Sequence, residues 1–263
     1  MSNLAERFHE IRKAWGKTPL ESYYKVAYCD AIYITVRQAD SYAKEAVHII
    51  YGVRQDDKRE LLTLSVNPTE SLESWSKALE SLKDRGVETI DLIVGDGLKG
   101  LENEVHKHFF GILLKCVVHK IRSIMYKIRP KDKAYVTADL REVFNHFDDN
   151  TSLEEGIAKL KKFVNQWKET YPFIKTCFSE ETLEYYFSYL KFFPQFRRMI
   201  YTTNSIENLN KKIRKATKNK QSFEKPDRLL DYIFVVIKDF EANNWMQYPV
   251  SSFAGWTQKT RST

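Results

Sequence analysis

The stretch Tyr23–Gln38 (YYKVAYCDAIYITVRQ) is rich in Tyr, Val and Ile with partial alternation, which predicts one long strand or two strands broken near Asp30-Ala31. Residues 46–53 (AVHIIYGV) predict a second strand, and the polar turn Gln55-Asp56-Asp57-Lys58 returns it as a hairpin along residues 61–66. After Asn67-Pro68, Ser71 opens a helix whose apolar positions Leu72, Trp75, Leu79 and Leu82 recur at helical spacing until Arg85-Gly86 stops it. Residues 89–94 (TIDLIV) form a continuous apolar run of the kind buried on both faces of a sheet. That run ends in Gly95-Asp96-Gly97, and a helix through Leu98, Leu101 and Val105 follows. Residues 112–118 (ILLKCVV) predict another buried strand, leading into a basic helix over 119–128 that Arg129-Pro130 closes.

The resulting order, β-β-β-α-β-α-β-α, implies an α/β fold: a mixed sheet with helices on its faces. Ahead of it, residues 1–20 read as a helical lead-in ending near Thr18-Pro19. From Lys131 to about Tyr189 the periodicity is helical throughout, with Leu153, Ile157, Leu160, Phe163, Val164 and Trp167 at 3-4 spacing and a break at Tyr171-Pro172. No Gly, Ser or Pro linker marks this segment off, so it reads as an all-helical insertion rather than a separate domain. Two further helices are predicted, from Thr203/Asn204 to about Thr217 and over residues 226–243.

Composition adds little except through charge. The 263 residues are 43% hydrophobic and 29% charged, which suits a sizeable core and argues against disorder. Cys29, Cys116 and Cys177 are too few and too scattered for a disulfide framework, which points to a reducing, cytoplasmic compartment. The N-terminus lacks the apolar core of a secretory signal, and the longest notable apolar run is only IFVVI at 233–237, so neither export nor membrane insertion is expected. The net charge of +7 is concentrated: residues 191–225 hold ten Lys/Arg against two acids, and the rest of the chain holds 32 against 33. Such a segment is either a solvated helix face or the footprint of a polyanion.

Three acids stand out by placement. Asp30 lies within or at the end of the first strand, Asp96 at the carboxyl end of a buried strand between two glycines, and Glu207 in the first turn of the helix after TTN. Each also has an ordinary reading: an edge-strand surface residue, a turn former, and the partner of an Asn204 cap. Glu207, Lys211, Arg214/Lys215 and Lys218 fall near one helix face, where the cations either pair with the carboxylate or hold a phosphate backbone beside it. Asn204 and Asn208 are neutral donors on that helix, Lys212 adds charge, and Arg197, Arg198 and Lys220 extend the patch. Cys116-x-x-His119 has half of a zinc spacing, but no second pair completes it, so no zinc is expected.

From about Trp15 onward the chain resembles the catalytic region of mutator-type bacterial insertion-sequence transposases, a DDE group. The blocks that carry the resemblance are Pro19-Leu20-Glu21, DAIYITVR (30–37), PTES…W (68–75), LKDRGV (82–87), VGDGLKGLEN (94–103), CVVHKIR (116–122), YFSYLKFF (186–193) and RRMIYTTNSIENLN (197–210). The resemblance implies an RNase H-like core with the helical insertion placed before the last acid, and an acidic triad at Asp30, Asp96 and Glu207. The parts would be a lead-in at 1–20, the first part of the core at 21–130, the insertion at 131–195, C-terminal core helices at 196–245 and a tail at 246–263. It also matches Cys116 and His119 to the family's C-x-x-H element, here ranked as supporting the site. Arg122-Ser123 stands where the family usually has Arg-Asn, and Lys115 where it often has Gln. Family members carry a helical end-binding region ahead of the catalytic region, so the expectation is a chain without that part.

The implied chemistry is metal-dependent. Three converging carboxylates repel one another until hard divalent cations, Mg²⁺ or Mn²⁺, join them. Two such ions would flank a phosphodiester during strand cleavage and 3′-OH strand transfer, with Asp30 bridging them. No organic cofactor is implied. Double-stranded DNA, both element ends and target, would be the partner of the basic segment (Arg197, Arg198, Asn204, Asn208, Lys211, Lys212, Arg214, Lys215 and Lys218). A homo-oligomer assembled on DNA and a location at the bacterial nucleoid follow from the same resemblance. Rival readings are a remnant that binds DNA without cutting, an RNase H-like nuclease without strand transfer, and a tyrosine recombinase that uses His119-x-x-Arg122. The last leaves the three acids unexplained.

Overall fold

The structure is a computed structural model that describes residues 3–38, 41–95, 100–109, 111–145, 150–201, 204–218, 220 and 223–256. The elements in chain order are α1 (Asn3–Trp15), β1 (Tyr23–Gln38), β2 (Ser41–Val53), β3 (Arg59–Asn67), α2 (Leu72–Asp84), β4 (Thr89–Gly95), α3 (Leu101–His108), β5 (Ile112–Lys115) and α4 (Val117–Lys127). They continue with α5 (Lys133–Phe144), α6 (Leu153–Trp167), α7 (Phe173–Cys177), α8 (Pro194–Tyr201), α9 (Asn204–Lys218) and α10 (Pro226–Phe240). The β-β-β-α-β-α-β-α order expected from periodicity is present. The sheet has five strands in the order β3-β2-β1-β4-β5. By packing the chain divides into two compact units, Met1–Ile112 with Asn204–Ser251, and Leu113–Thr203 with Ser252–Thr263.

In the first unit β1 is one unbroken strand. It pairs antiparallel with β2 from Val26↔Val53 to Gln38↔Ser41, and parallel with β4 from Tyr23↔Thr89 to Cys29↔Gly95. Its amino-terminal half is therefore flanked on both sides, and Lys25 through Asp30 are all buried. Alternation places Tyr28 and Asp30 on one face and Cys29 and Ala31 on the other. On the Tyr28 face a ladder of rings runs to the end of α10: Tyr28 stacks on Tyr51 at 4.9 Å and Tyr51 meets Trp245 at 4.7 Å. On the opposite face, across from Ala31, His48 packs edge-on against Trp75 of α2 at 4.8 Å, and its Nε2 lies 2.9 Å from the Ser74 hydroxyl. Helices thus cover both faces.

Local signals explain the boundaries. Ser71 caps α2 through a reciprocal box with Ser74, and Gly86, at φ 98°, takes the left-handed turn that ends that helix. α10 is shorter than its periodicity suggests. After Phe240 the chain widens into a single π-helical turn, Glu241–Trp245. That turn aims the buried Glu241 carboxylate at the edge strand, where it accepts the Leu61 N–H at 3.1 Å and also takes the Lys238 ammonium.

In the second unit the expected strand over 112–118 is shorter than its apolar run. Pairing stops at Lys115, and Cys116 begins a helix because its thiol accepts the His119 N–H at 3.5 Å, an N-cap that lets Val117 and Val118 join α4. The elements described within residues 131–189 are all helical, but beyond α7 the winding is 3₁₀ over Glu180–Tyr186 and Ser188–Lys191. Gly156 sits inside α6 because a Cβ there would come within 2.8 Å of the Phe187 ring.

Candidate active site

Asp30 is the focal residue. It lies on the central strand one position beyond the last β1–β4 pair, Cys29↔Gly95, and it is 6% exposed, so it is not the edge-strand surface residue that the sequence left open. Its Oδ1 accepts the Ala31 N–H at 2.9 Å, and its Oδ2 accepts the side-chain amide of Asn210 on α9. Both carboxylate oxygens are held in a buried setting. Beside it, the Cys29 thiol is pushed up to about 12 by burial and then by the Asp30 charge, so it stays protonated and inert at neutral pH.

Asp96, the second acid expected here, lies outside the described residues, although Gly95 immediately before it pairs with the residue before Asp30. Glu207 is half-buried on α9, three residues before Asn210. At 100° per residue Glu207, Asn210, Lys211, Arg214 and Lys218 fall within one sector of that helix, while Ile206, Leu209 and Ile213 form the buried stripe. Asn210 is the member of the first sector that borders the buried stripe and is only 7% exposed. It is the site residue that the sequence reading did not select. A polar residue interrupting the 206-209-213 apolar spacing was the available signal.

The donor chemistry suits a hard divalent cation. Asp30 and Glu207 carry carboxylate oxygens of the kind such an ion takes, and among the described residues the buried Oδ1 of Asn210 has no hydrogen-bond partner. Among the described residues, no group of three or more His, Cys, Asp or Glu side chains is arranged to hold a metal ion, and the expected third acid is outside them. In the second unit, Cys116 is a buried helix cap and His119 sits half-buried in the first turn of α4.

The basic segment divides into exposed and engaged cations. Lys211, Arg214, Lys215 and Lys218 are exposed, as are Asn208 and, on α8, Arg198. Lys212 is partly engaged, 3.8 Å from Asp239 and 4.4 Å over the Phe240 ring. Lys220 lies 4.3 Å over Tyr232. The expected DNA contact by Arg197 meets a different placement. Its guanidinium is 0% exposed and donates to the Phe192 carbonyl at 3.1 Å and the Leu190 carbonyl at 3.5 Å, so it has no surface to offer a phosphate. Asn204 opens α9, and its side chain is outside the description.

The family model described as "Transposase, Mutator family" matches residues 1–248. The chain belongs to the mutator family of transposases. Similar relatives include the transposase for insertion sequence element IS905 of Lactococcus lactis, 28% identical over 91% of this chain and 60% of its own length. A probable transposase for an ISRM3-like element of Sinorhizobium fredii is 29% identical over 95% and 61%, and the transposase for ISRM3 of Rhizobium meliloti is 30% identical over 89% and 58%. This mutator-family chain thus spans about three-fifths of the length of the curated relatives it matches. A solved Drosophila P element transposase strand transfer complex aligns with 96% of this chain and 76% of that one at 12% identity, with a TM-score of 0.31, too slight to place strands or site. Among the described residues no helix is long and apolar enough to cross a membrane.

Proposed function

We infer that this chain is the catalytic region of an insertion-sequence transposase. It would cleave DNA at element ends and join the freed 3′-OH to target DNA, on an RNase H-like core with residues 131–195 as the helical insertion. The observation that carries this reading is the buried Asp30 carboxylate at the end of the parallel β1–β4 pairing, held by Asn210 from the same helix that carries Glu207. A carboxylate is buried at this cost only when something compensates it.

Asp30, Asp96 and Glu207 would hold two Mg²⁺ or Mn²⁺ ions. Bound there, such ions supply a lowered pKa for the attacking water or 3′-hydroxyl and charge stabilisation for the leaving 3′-oxygen. The protein's own part is positioning. Asp30 is kept oriented by its two hydrogen bonds, and Lys211, Arg214 and Lys218 present an exposed cationic row on the Glu207 side of α9 along which a phosphate backbone would be fixed in register. No side chain need serve as nucleophile. The partner would be double-stranded DNA, engaged by a homo-oligomer at the bacterial nucleoid.

The test supplies a pre-cleaved 3′-OH oligonucleotide, a target plasmid and Mn²⁺, which asks about strand transfer without end recognition. Asp30→Asn, Asp96→Asn and Glu207→Gln are each expected to abolish joining while DNA retention persists. Wild-type turnover by any one of them removes that residue from the triad. Joining that persists in EDTA sinks the metal chemistry.

A further inference from the structure

Each oxygen of Asp30 accepts a hydrogen bond from a different element. Each ionised carboxylate oxygen offers about two acceptor positions. Oδ1 uses one on the Ala31 N–H and Oδ2 uses one on the Asn210 amide. These two donors, one from the strand and one from α9, fix the carboxylate plane. The amide that does this is itself half satisfied. Asn210 is more than nine-tenths buried, its Nδ2 is committed to Asp30, and its Oδ1 is buried without a hydrogen-bond partner among the described residues. A buried amide oxygen left unpaired is costly, and such an atom next to a carboxylate asks for a donor. The side chains beside it on α9, Ile206, Leu209 and Ile213, are fully apolar and supply none.

We propose that Asn210 is a positioning residue with two jobs: its Nδ2 orients Asp30, and its Oδ1 accepts a hydrogen bond from a water carried by the divalent cation at Asp30. This rests on the metal reading above and deepens it by naming an outer-shell partner. The requirement is specific to Asn. Aspartate would lose the donor and set a second negative charge against Asp30, and Ala or Leu would lose both contacts. Outer partners of this kind govern how well a carboxylate serves as a ligand.

The experiment titrates the full chain with Mn²⁺ and reads free Mn²⁺ by electron paramagnetic resonance, with no DNA and no turnover. Wild type is expected to bind and Asp30→Asn to lose binding. Asn210→Ala is expected to bind about tenfold more weakly or worse. Asn210→Leu, which keeps the buried volume, is expected to match it and serves if Asn210→Ala does not fold. Circular dichroism confirms that each variant measured is folded. A purely structural Asn210 would shift melting without moving Mn²⁺ affinity in a folded variant. Binding by wild type that disappears in Asp30→Asn yet is unchanged in both Asn210 variants overturns this proposal alone. Wild type that takes up no Mn²⁺, or binding that survives Asp30→Asn, overturns the metal reading and this proposal with it.

Discussion

Neutralising Lys211, Arg214 and Lys218 to Gln should change how DNA affinity responds to salt more than it changes the fold. All three are exposed, they lie on the Glu207 side of α9, and the buried stripe of that helix is untouched by the substitutions. If each holds one phosphate, the slope of log K against log salt should flatten by about 0.9 per contact, or about 2.7 for the three. Between roughly 50 and 200 mM salt that difference amounts to about forty-fold, so the wild-type advantage at low salt should largely vanish at high salt. Fluorescence anisotropy on a duplex oligonucleotide across that range measures it directly. Lys212→Gln is the internal control: that cation is already engaged by Asp239 and the Phe240 ring, so its neutralisation should move the slope by less than an exposed lysine does. A triple variant whose slope stays within about 0.5 of wild type would mean that this helix face meets water and not phosphate.

Two further outcomes concern stability. His48 is fully buried and burial lowers its proton affinity from the usual 6.5, so the unfolded chain binds a proton that the folded one excludes. Its contribution is present above about pH 6.5 and is lost as pH falls toward the lower folded value, at up to roughly 1.4 kcal/mol per pH unit. Urea midpoints between neutral and mildly acidic pH should show this fall, and a His48→Gln variant with an equally steep fall would disprove the assignment. Arg197→Met strands the Phe192 and Leu190 carbonyls and should cost about 2–4 kcal/mol, whereas the exposed Arg198→Met should stay within about 0.5 kcal/mol. Equal costs for the two would contradict the buried placement of Arg197.

The strand and helix order was readable because each element carries its own signal. Alternation marks β1, the Ser71 and Gly86 punctuation marks α2, and the continuous apolar run marks β4. What failed were places where a tertiary partner decides. Val117 and Val118 favour a strand by propensity, yet the Cys116 cap turns them into helix. Arg197 reads as one more cation in a basic run, and only its two carbonyl partners reveal it as an interior residue. Asp30 was selected, but nothing local distinguishes a surface aspartate from one held by an amide 180 residues away. Asn210 was passed over for the same reason, since its value lies in a contact across that separation.

The carboxylate of Glu241 on the Leu61 N–H has a bearing on solubility. β3 is the outermost strand on its side of the sheet, and an outermost strand with free amides is a template on which another chain can add itself. Here one of those amides is already occupied by an acid delivered from the far end of the unit, with Arg59 of the same strand lying over the Trp245 ring next door. Proteolysis that removed everything after α10 would therefore do more than shorten the protein: it would unblock a sticky margin and favour self-association.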